Sequence, residues 1–217
     1  MGAIARSAAN LITTSGVVLK GAVNNDSFDN VTALPSSFGD GITLISSQTA
    51  SASASLSFTT GLTSTYKAYK FVFVNIHPAT DNTNFTFNLS TDSGSNYNVT
   101  KTTTAFKAHH DEADTATTLT YSTSNDLAQS TGFQMIGEQV GNGNDEQCSG
   151  TLTLFNPSST TYVKHFISTS NSYNEANYSI NFYIAGYANT TSAVNAIQFK
   201  FASGNIDAGV IYMYGIK

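Results

Sequence analysis

The sequence predicts an all-β fold, a two-sheet β-sandwich of jelly-roll type preceded by an extended N-terminal arm. Three observations carry this. Apolar residues recur with period two from Ile42 onward, clusters of turn-forming residues separate the alternating runs, and no 12-residue window outside the arm shows a 3.6-residue apolar stripe.

Residues 1–42 read as an arm for attachment to neighbouring subunits. They are small residues, Gly and polar groups, with short apolar pieces at Val17 to Leu19 and at Val31 to Leu34, the second ending at Pro35. Fully extended at roughly 3.3 Å per residue, such a stretch reaches on the order of 130 Å. A tail is the alternative reading.

Residues 43–217 read as the β-domain. Ala50, Ala52, Ala54, Leu56 and Phe58 alternate with Ser51, Ser53, Ser55 and Ser57, giving an apolar face and a hydroxyl face. The small alanines predict close approach by another layer. Tyr69 to Ile76 is apolar on both parities, which predicts a central strand covered on both sides and stopping at His77 and Pro78. Phe85, Phe87 and Leu89 alternate again, and Tyr97 to Phe106 reads as a long Thr-rich strand. Further strands are expected at Leu119 with Tyr121, Phe133 to Ile136, Leu152 with Leu154, Tyr162 to Ile167 and Tyr178 to Ile184. Ile197 with Phe199 and Phe201, then Val210, Tyr212 and Tyr214, complete about ten. Turn chemistry lies between them in Asp92 to Asn96, Gly141 to Asp145, Asn156 to Ser159 and Ser203 to Asn205. Ala188 to Ala196 fits a short helix or a loop.

Composition narrows the function classes. Only 11% of the 217 residues are charged, against a globular norm of roughly 25%, while Ser, Thr and Asn fill 78 positions. With 11 Tyr, 14 Phe and a formal net charge of -5, the chain should fold rather than stay disordered. No apolar run approaches the roughly 18 to 20 residues that span a bilayer, and Met1 to Lys20 lacks the continuous apolar core of a secretory signal. No membrane partner is expected. Arg6 is the single arginine among nine basic residues, which disfavours tracking of nucleic-acid phosphates. Cys148 is the single cysteine, so no internal disulfide forms; at a strand start it reads as a buried or half-buried thiol.

The ionisable residues suggest no enzyme. His109, His110, Asp111, Glu112 and Asp114 form the densest cluster, but adjacent His on a strand point to opposite faces and no metal-ligand spacing is present. An exposed loop is expected there. Gly141 to Glu146 lacks the acidic alternation of a calcium loop and reads as a polar hairpin tip. A Gly-x-Ser-x-Gly elbow is absent, and the few carboxylates are scattered. No catalytic, metal or cofactor residues are assigned. The Asn-x-Ser/Thr triplets at Asn30, Asn84, Asn88, Asn98, Asn177 and Asn189 follow from the abundance of these residue types rather than from glycosylation. Tyr173, Asn174, Tyr178 and Tyr187 are the candidate contacts. Tyrosine and asparagine on a β-scaffold suit glycan through ring stacking and hydrogen bonds, and equally suit a subunit interface, which the low charge favours.

Several stretches carry a resemblance. Phe73 to Asp81, Gly94 to Thr104, Phe155 to Phe166, the ending Ser203 to Val210 followed by Tyr214-Gly215-Ile216, and Asn30 to Pro35 resemble small virion structural proteins of marine and freshwater tailed bacteriophages. The resemblance covers residues 43–217 nearly throughout. It implies a decoration, cement or tail-fibre role at the virion surface, capsid or tail, for a protein made in the host cytoplasm. It further implies a homotrimer with other virion proteins, major capsid or tail proteins, as partners, and host surface glycan as a further one for host attachment.

Overall fold

A computed structural model of the chain describes residues 41–217. Of the expected arm, residues 1–40 lie outside the described residues. The described residues are all β, with no helix. In chain order the strands are β1 Ile42–Thr49, β2 Leu56–Phe58, β3 Ala68–Pro78, β4 Thr83–Ser90, β5 Lys101–Asp111 and β6 Thr117–Tyr121. They continue as β7 Gln134–Val140, β8 Cys148–Phe155, β9 Lys164–Tyr173, β10 Tyr178–Ala188, β11 Ala196–Phe201 and β12 Ile206–Ile216. Two antiparallel sheets result, one of eight strands in the order β1-β12-β3-β8-β9-β10-β5-β6 and one of four in the order β2-β11-β4-β7.

The sheets face one another because alternate residues on both carry large apolar side chains. Tyr69, Phe71 and Phe73 of β3 and Phe166 of β9 are fully buried from one side, and Phe85, Phe87, Leu89 and Phe199 from the other. Their rings interlock across the gap. Across it Phe199 meets Phe71 at 5.5 Å, and within its own sheet it packs against Phe58 at 6.4 Å, Phe85 at 6.0 Å and Phe87 at 6.4 Å between centroids. Phe73 meets Phe85 edge-on at 5.4 Å, and Phe87 meets Phe166 edge-on at 5.1 Å. Edge-to-face pairs of this kind add roughly 0.5–1.5 kcal/mol each beyond their area burial.

Four strands cannot cover eight, and two devices close the remainder. Beyond β3 the loop before it folds back: Tyr66 packs edge-on against Tyr69 at 5.9 Å and lies over Gly215, where a Cβ would come within 2.4 Å of the ring. At the other end polar residues span the gap. Thr103 donates to Gln134 at 2.7 Å, and Lys107 pairs with Glu138 at 2.5 Å, joining β5 to β7.

The structure differs from the expected strands in specific places. The alternating run Ala50 to Phe58 is no single strand. Ala52 has a left-handed backbone (φ 50°), Ser53 bridges to Ile206, and only Leu56–Phe58 pairs, in the other sheet. The run is a crossing between sheets, and its small side chains let it pass close to β12. β3 is not covered on both sides: Lys70, Val72 and Val74 stay half-buried on an outer face. Its pairing slips between Phe73 and Ile76, where Asn75 is also left-handed (φ 51°). Gly209 opposite has φ 118°, and a Cβ there would stand 2.5 Å from the Asn75 carbonyl oxygen, so the bulge needs glycine on the facing strand. The Thr-rich strand begins at Lys101, not Tyr97, and runs on to Asp111, so His109 and His110 lie in a strand rather than in the expected loop. Ala188 to Ala196 contains no helix.

Phe199→Ala removes the ring that the other aromatics share. We expect it to lower the unfolding free energy, measured by urea titration, by about 3–5 kcal/mol; a loss under about 1 kcal/mol would contradict the packing described.

Candidate functional site

The outer face of the eight-stranded sheet is the largest unusual feature. In antiparallel pairing, residues opposite one another point to the same face, so the register assigns the outward set. Phe106 of β5 stands opposite Tyr183 of β10 and Tyr121 of β6, and its ring stacks on Tyr183 at 4.7 Å with planes 7° apart. Ala108 and Leu119 are the next outward pair, and Leu119 is 75% exposed. Ile167 of β9, 53% exposed, stands opposite Ala185 of β10 and Thr153 of β8. At the far edge Leu44 and Ile42 of β1 stand opposite Tyr214 and Ile216 of β12.

Of the large apolar side chains exposed among the described residues, Ile42, Leu44, Phe106, Leu119, Tyr121, Phe155 and Ile167 all belong to this face; Tyr162 stands apart. The spaces between them are filled by Thr102, Thr104, Thr151, Thr169, Asn171 and Asn181. Outward positions on β5, β6, β8, β9 and β10 hold no Asp, Glu, Lys or Arg. Lys70 is the exception on β3 before its bulge.

The predicted contact residues are not brought together. Tyr173, Asn174 and Tyr178 surround the turn between β9 and β10, whereas Tyr187 lies near the other end of β10, roughly 30 Å away at 3.3 Å per residue. Asn174 is buried and builds the turn, its Oδ1 accepting from the backbone N–H of Ala176 at 3.1 Å and Tyr178 at 2.9 Å. Tyr173 donates its hydroxyl to Glu112 at 2.9 Å, a bond that pushes its pKa up. Tyr178 packs edge-on against His109 at 5.0 Å. Tyr187 borders a shallow groove of about 500 Å³ on the outer face, with Phe155, His165, Ile167 and Ala185.

The ionisable clusters serve the turns. Asp111 accepts from the backbone N–H of Thr115 at 2.9 Å and Ala116 at 2.8 Å and from the Thr115 hydroxyl at 2.5 Å, bonds that hold its carboxyl down to about 2. His110 pairs with Asp114 at 3.0 Å. At the Gly141 to Glu146 tip, Glu146 accepts from the Gly143 N–H at 2.5 Å, and His77 bonds the Gly143 carbonyl at 3.0 Å. Among the described residues no group of three or more His, Cys, Asp or Glu is placed to hold a metal ion. Asn88, one of the triplet asparagines, is fully buried; Asn30 lies outside the described residues.

Three groups have pKa values shifted by burial. Cys148 is fully buried and desolvation pushes its thiol up to about 12. Lys101 is fully buried with no carboxylate partner. Its Nζ donates to Asn88 Oδ1 at 2.5 Å and the Val99 carbonyl at 2.7 Å, and desolvation brings its pKa down to about 7. Lys164, also fully buried, donates to the carbonyls of Tyr162 and Thr190 at 2.9 and 3.1 Å, and desolvation lowers its pKa too.

The outward apolar residues were not picked out by residue type. Their signal is neighbouring apolar residues on both parities of one strand, Leu154 with Phe155 and Phe166 with Ile167, which puts apolar side chains on both faces of the sheet.

The lysines give the fold a pH dependence. Between about pH 7 and the ordinary value of 10.5, Lys101 is neutral when folded and charged when unfolded, so the unfolded state binds more protons and stability rises with pH. Cys148 opposes this above its ordinary value of 9.0. We expect the unfolding free energy to increase by roughly 1–3 kcal/mol from pH 7 to pH 9, and Lys101→Met to flatten that slope. A flat profile in the unaltered protein would contradict a neutral buried lysine.

Comparison with protein-family models, with curated proteins and with solved structures finds no match to this chain.

Proposed function

We propose that the chain is a non-enzymatic structural protein of a tailed-phage virion, a capsid decoration or cement protein. In this reading it closes on copies of itself, as a homotrimer, through the outer face of the eight-stranded sheet. It then stabilises the shell through contacts with the major capsid protein, residues 1–42 serving as the attachment arm. Its place is the virion surface, after synthesis in the host cytoplasm.

The observation that carries the reading is the apolar, nearly uncharged face that runs from Ile42 to Leu119. Eight strands about 4.8 Å apart and about ten residues long make a surface of roughly 1,200 Å², above the ~800 Å² per partner of a stable interface. With few charges, Lys70 on β3 and Asp207 on β12 beside His77, such a face meets other copies with little repulsion. Large exposed apolar patches on soluble chains mark interaction surfaces.

The strand order supports the jelly-roll reading. The small sheet β2-β11-β4-β7 takes the B, I, D and G places, and β3, β10, β5 and β6 take C, H, E and F. The β8–β9 hairpin is then an insertion between C and H, and β12 with β1 extends the sheet beyond C.

The groove beside Tyr187 favours a second reading, a tail-fibre or tail-tip protein that attaches to host surface glycan through ring stacking. Copy number separates the two. Localisation by electron cryomicroscopy on the intact virion should find hundreds of copies on the shell for a decoration protein and about a dozen at the tail for a receptor binder. Particles lacking the protein should open at lower temperature than complete ones; equal resistance would refute the cement role. Removal of residues 1–41, which leaves β1 whole, should abolish incorporation, and full occupancy by the shortened chain would refute the docking role of the arm.

A further inference from the structure

The outer face of the four-stranded sheet carries a different chemistry. Thr86 of β4 pairs with Lys200 of β11 on one side and Met135 of β7 on the other, and the segment between β6 and β7 adds Ser124, Asp126 and Phe133 above them. Together with Asn84 they enclose a cleft of about 330 Å³. That volume lies at the lower end of the range for small-molecule sites, about 300–1,000 Å³.

The polar groups of the cleft have unused capacity. Lys200 Nζ lies 4.3 Å above the centre of the Phe133 ring. The ion pairs among the described residues are His77 with Asp207, Lys107 with Glu138 and His110 with Asp114, so no carboxylate neutralises Lys200. Asn84 accepts from the Gln139 N–H at 2.8 Å through Oδ1, which fixes the amide and commits none of its two N–H donors. Asp126 Oδ2 accepts from the Tyr121 hydroxyl at 2.7 Å, and its second oxygen keeps its lone pairs.

An ammonium beside an amide NH₂ suits an anionic group. A carboxylate oxygen with a serine hydroxyl suits ligand hydroxyls, and the ring of Phe133 with the thioether of Met135 suits a C–H face. From these residues we infer that the cleft binds an acidic sugar, a single hexuronic acid unit with its carboxylate toward Lys200 and Asn84 and its hydroxyls toward Asp126 and Ser124. Inorganic phosphate satisfies the first pair alone and is repelled by Asp126. A neutral hexose satisfies the second alone. The cleft belongs to the sheet opposite the proposed assembly face, and of its polar groups Asp126 alone is bonded to a residue of that face, the Tyr121 hydroxyl.

The test is ligand-observed NMR titration of the full chain with glucuronate, glucose and inorganic phosphate in turn. Glucuronate should bind saturably, about tenfold more tightly than glucose, a difference worth about 1.4 kcal/mol. It should weaken as salt is added, and phosphate should not displace it. Lys200→Met should bring glucuronate to the level of glucose without shifting the thermal midpoint, and Asp126→Asn should weaken both sugars. No saturable binding, equal binding of the two sugars, retention of the preference in Lys200→Met, or displacement by phosphate at matched concentration would each overturn the inference. Failure here would leave the particle experiments untouched, and the reverse holds equally.

Discussion

The ring of Phe199 packs among Phe58, Phe85 and Phe87 of its own sheet and meets Phe71 of the other, and with Phe73 against Phe85 and Phe87 against Phe166 such contacts hold the two sheets at their spacing. Because Phe85, Phe87 and Phe199 fill one side and Phe71, Phe73 and Phe166 the other, the inward parity of every central strand is fixed. A one-residue slip would turn those rings outward. The outward parity follows as a consequence rather than a separate choice. Phe106, Ile167 and Leu119 face out because Ala105, Phe166 and the neighbouring strands face in.

The two outer faces then diverge. On the small sheet, chain between strands folds over the surface: Asn88 donates to the carbonyls of Tyr97 and Thr131, and Lys101 reaches Asn88 from below. Buried polar groups there are satisfied locally, which costs little beyond the ordering of the loops. What stays open is the cleft around Lys200. The large sheet has no such cover among the described residues, and its side chains are the kind that pack against protein rather than water. Thr and Asn fill the gaps between the apolar residues, which keeps such a face soluble before assembly and allows hydrogen bonds across it afterwards.

The all-β class and most strands were legible because their alternation is regular: Phe85, Phe87 and Leu89, or Ile180, Phe182 and Ile184, leave one reading only. Ala50 to Phe58 does not read as a crossing because alternation of Ala and Ser describes a strand and a chain passing between sheets equally well, and the left-handed Ala52 leaves no mark in composition. β5 starts at Lys101 rather than Tyr97 although Tyr97 and Val99 keep the period-two spacing of Lys101, Thr103 and Ala105, so alternation does not mark where the pairing begins. Tyr173, Asn174 and Tyr178 are of residue types suited to contacts and surround one turn, whereas Tyr187 is held apart by the length of β10, which no spacing rule ties to a shared surface. The cleft needs Asn84, Lys200 and the pair Asp126 and Phe133 from three separate segments, so only the sheet register brings it into view.

Pairing of copies through the large face is most directly tested by mass in solution. Light scattering over a concentration series should give a closed oligomer for the unaltered chain, and Ile167→Lys with Phe106→Lys should give a monomer that keeps its β-sheet circular dichroism. A monomer mass for the unaltered chain at every concentration, or an oligomer that survives both lysines, would contradict assembly through this face.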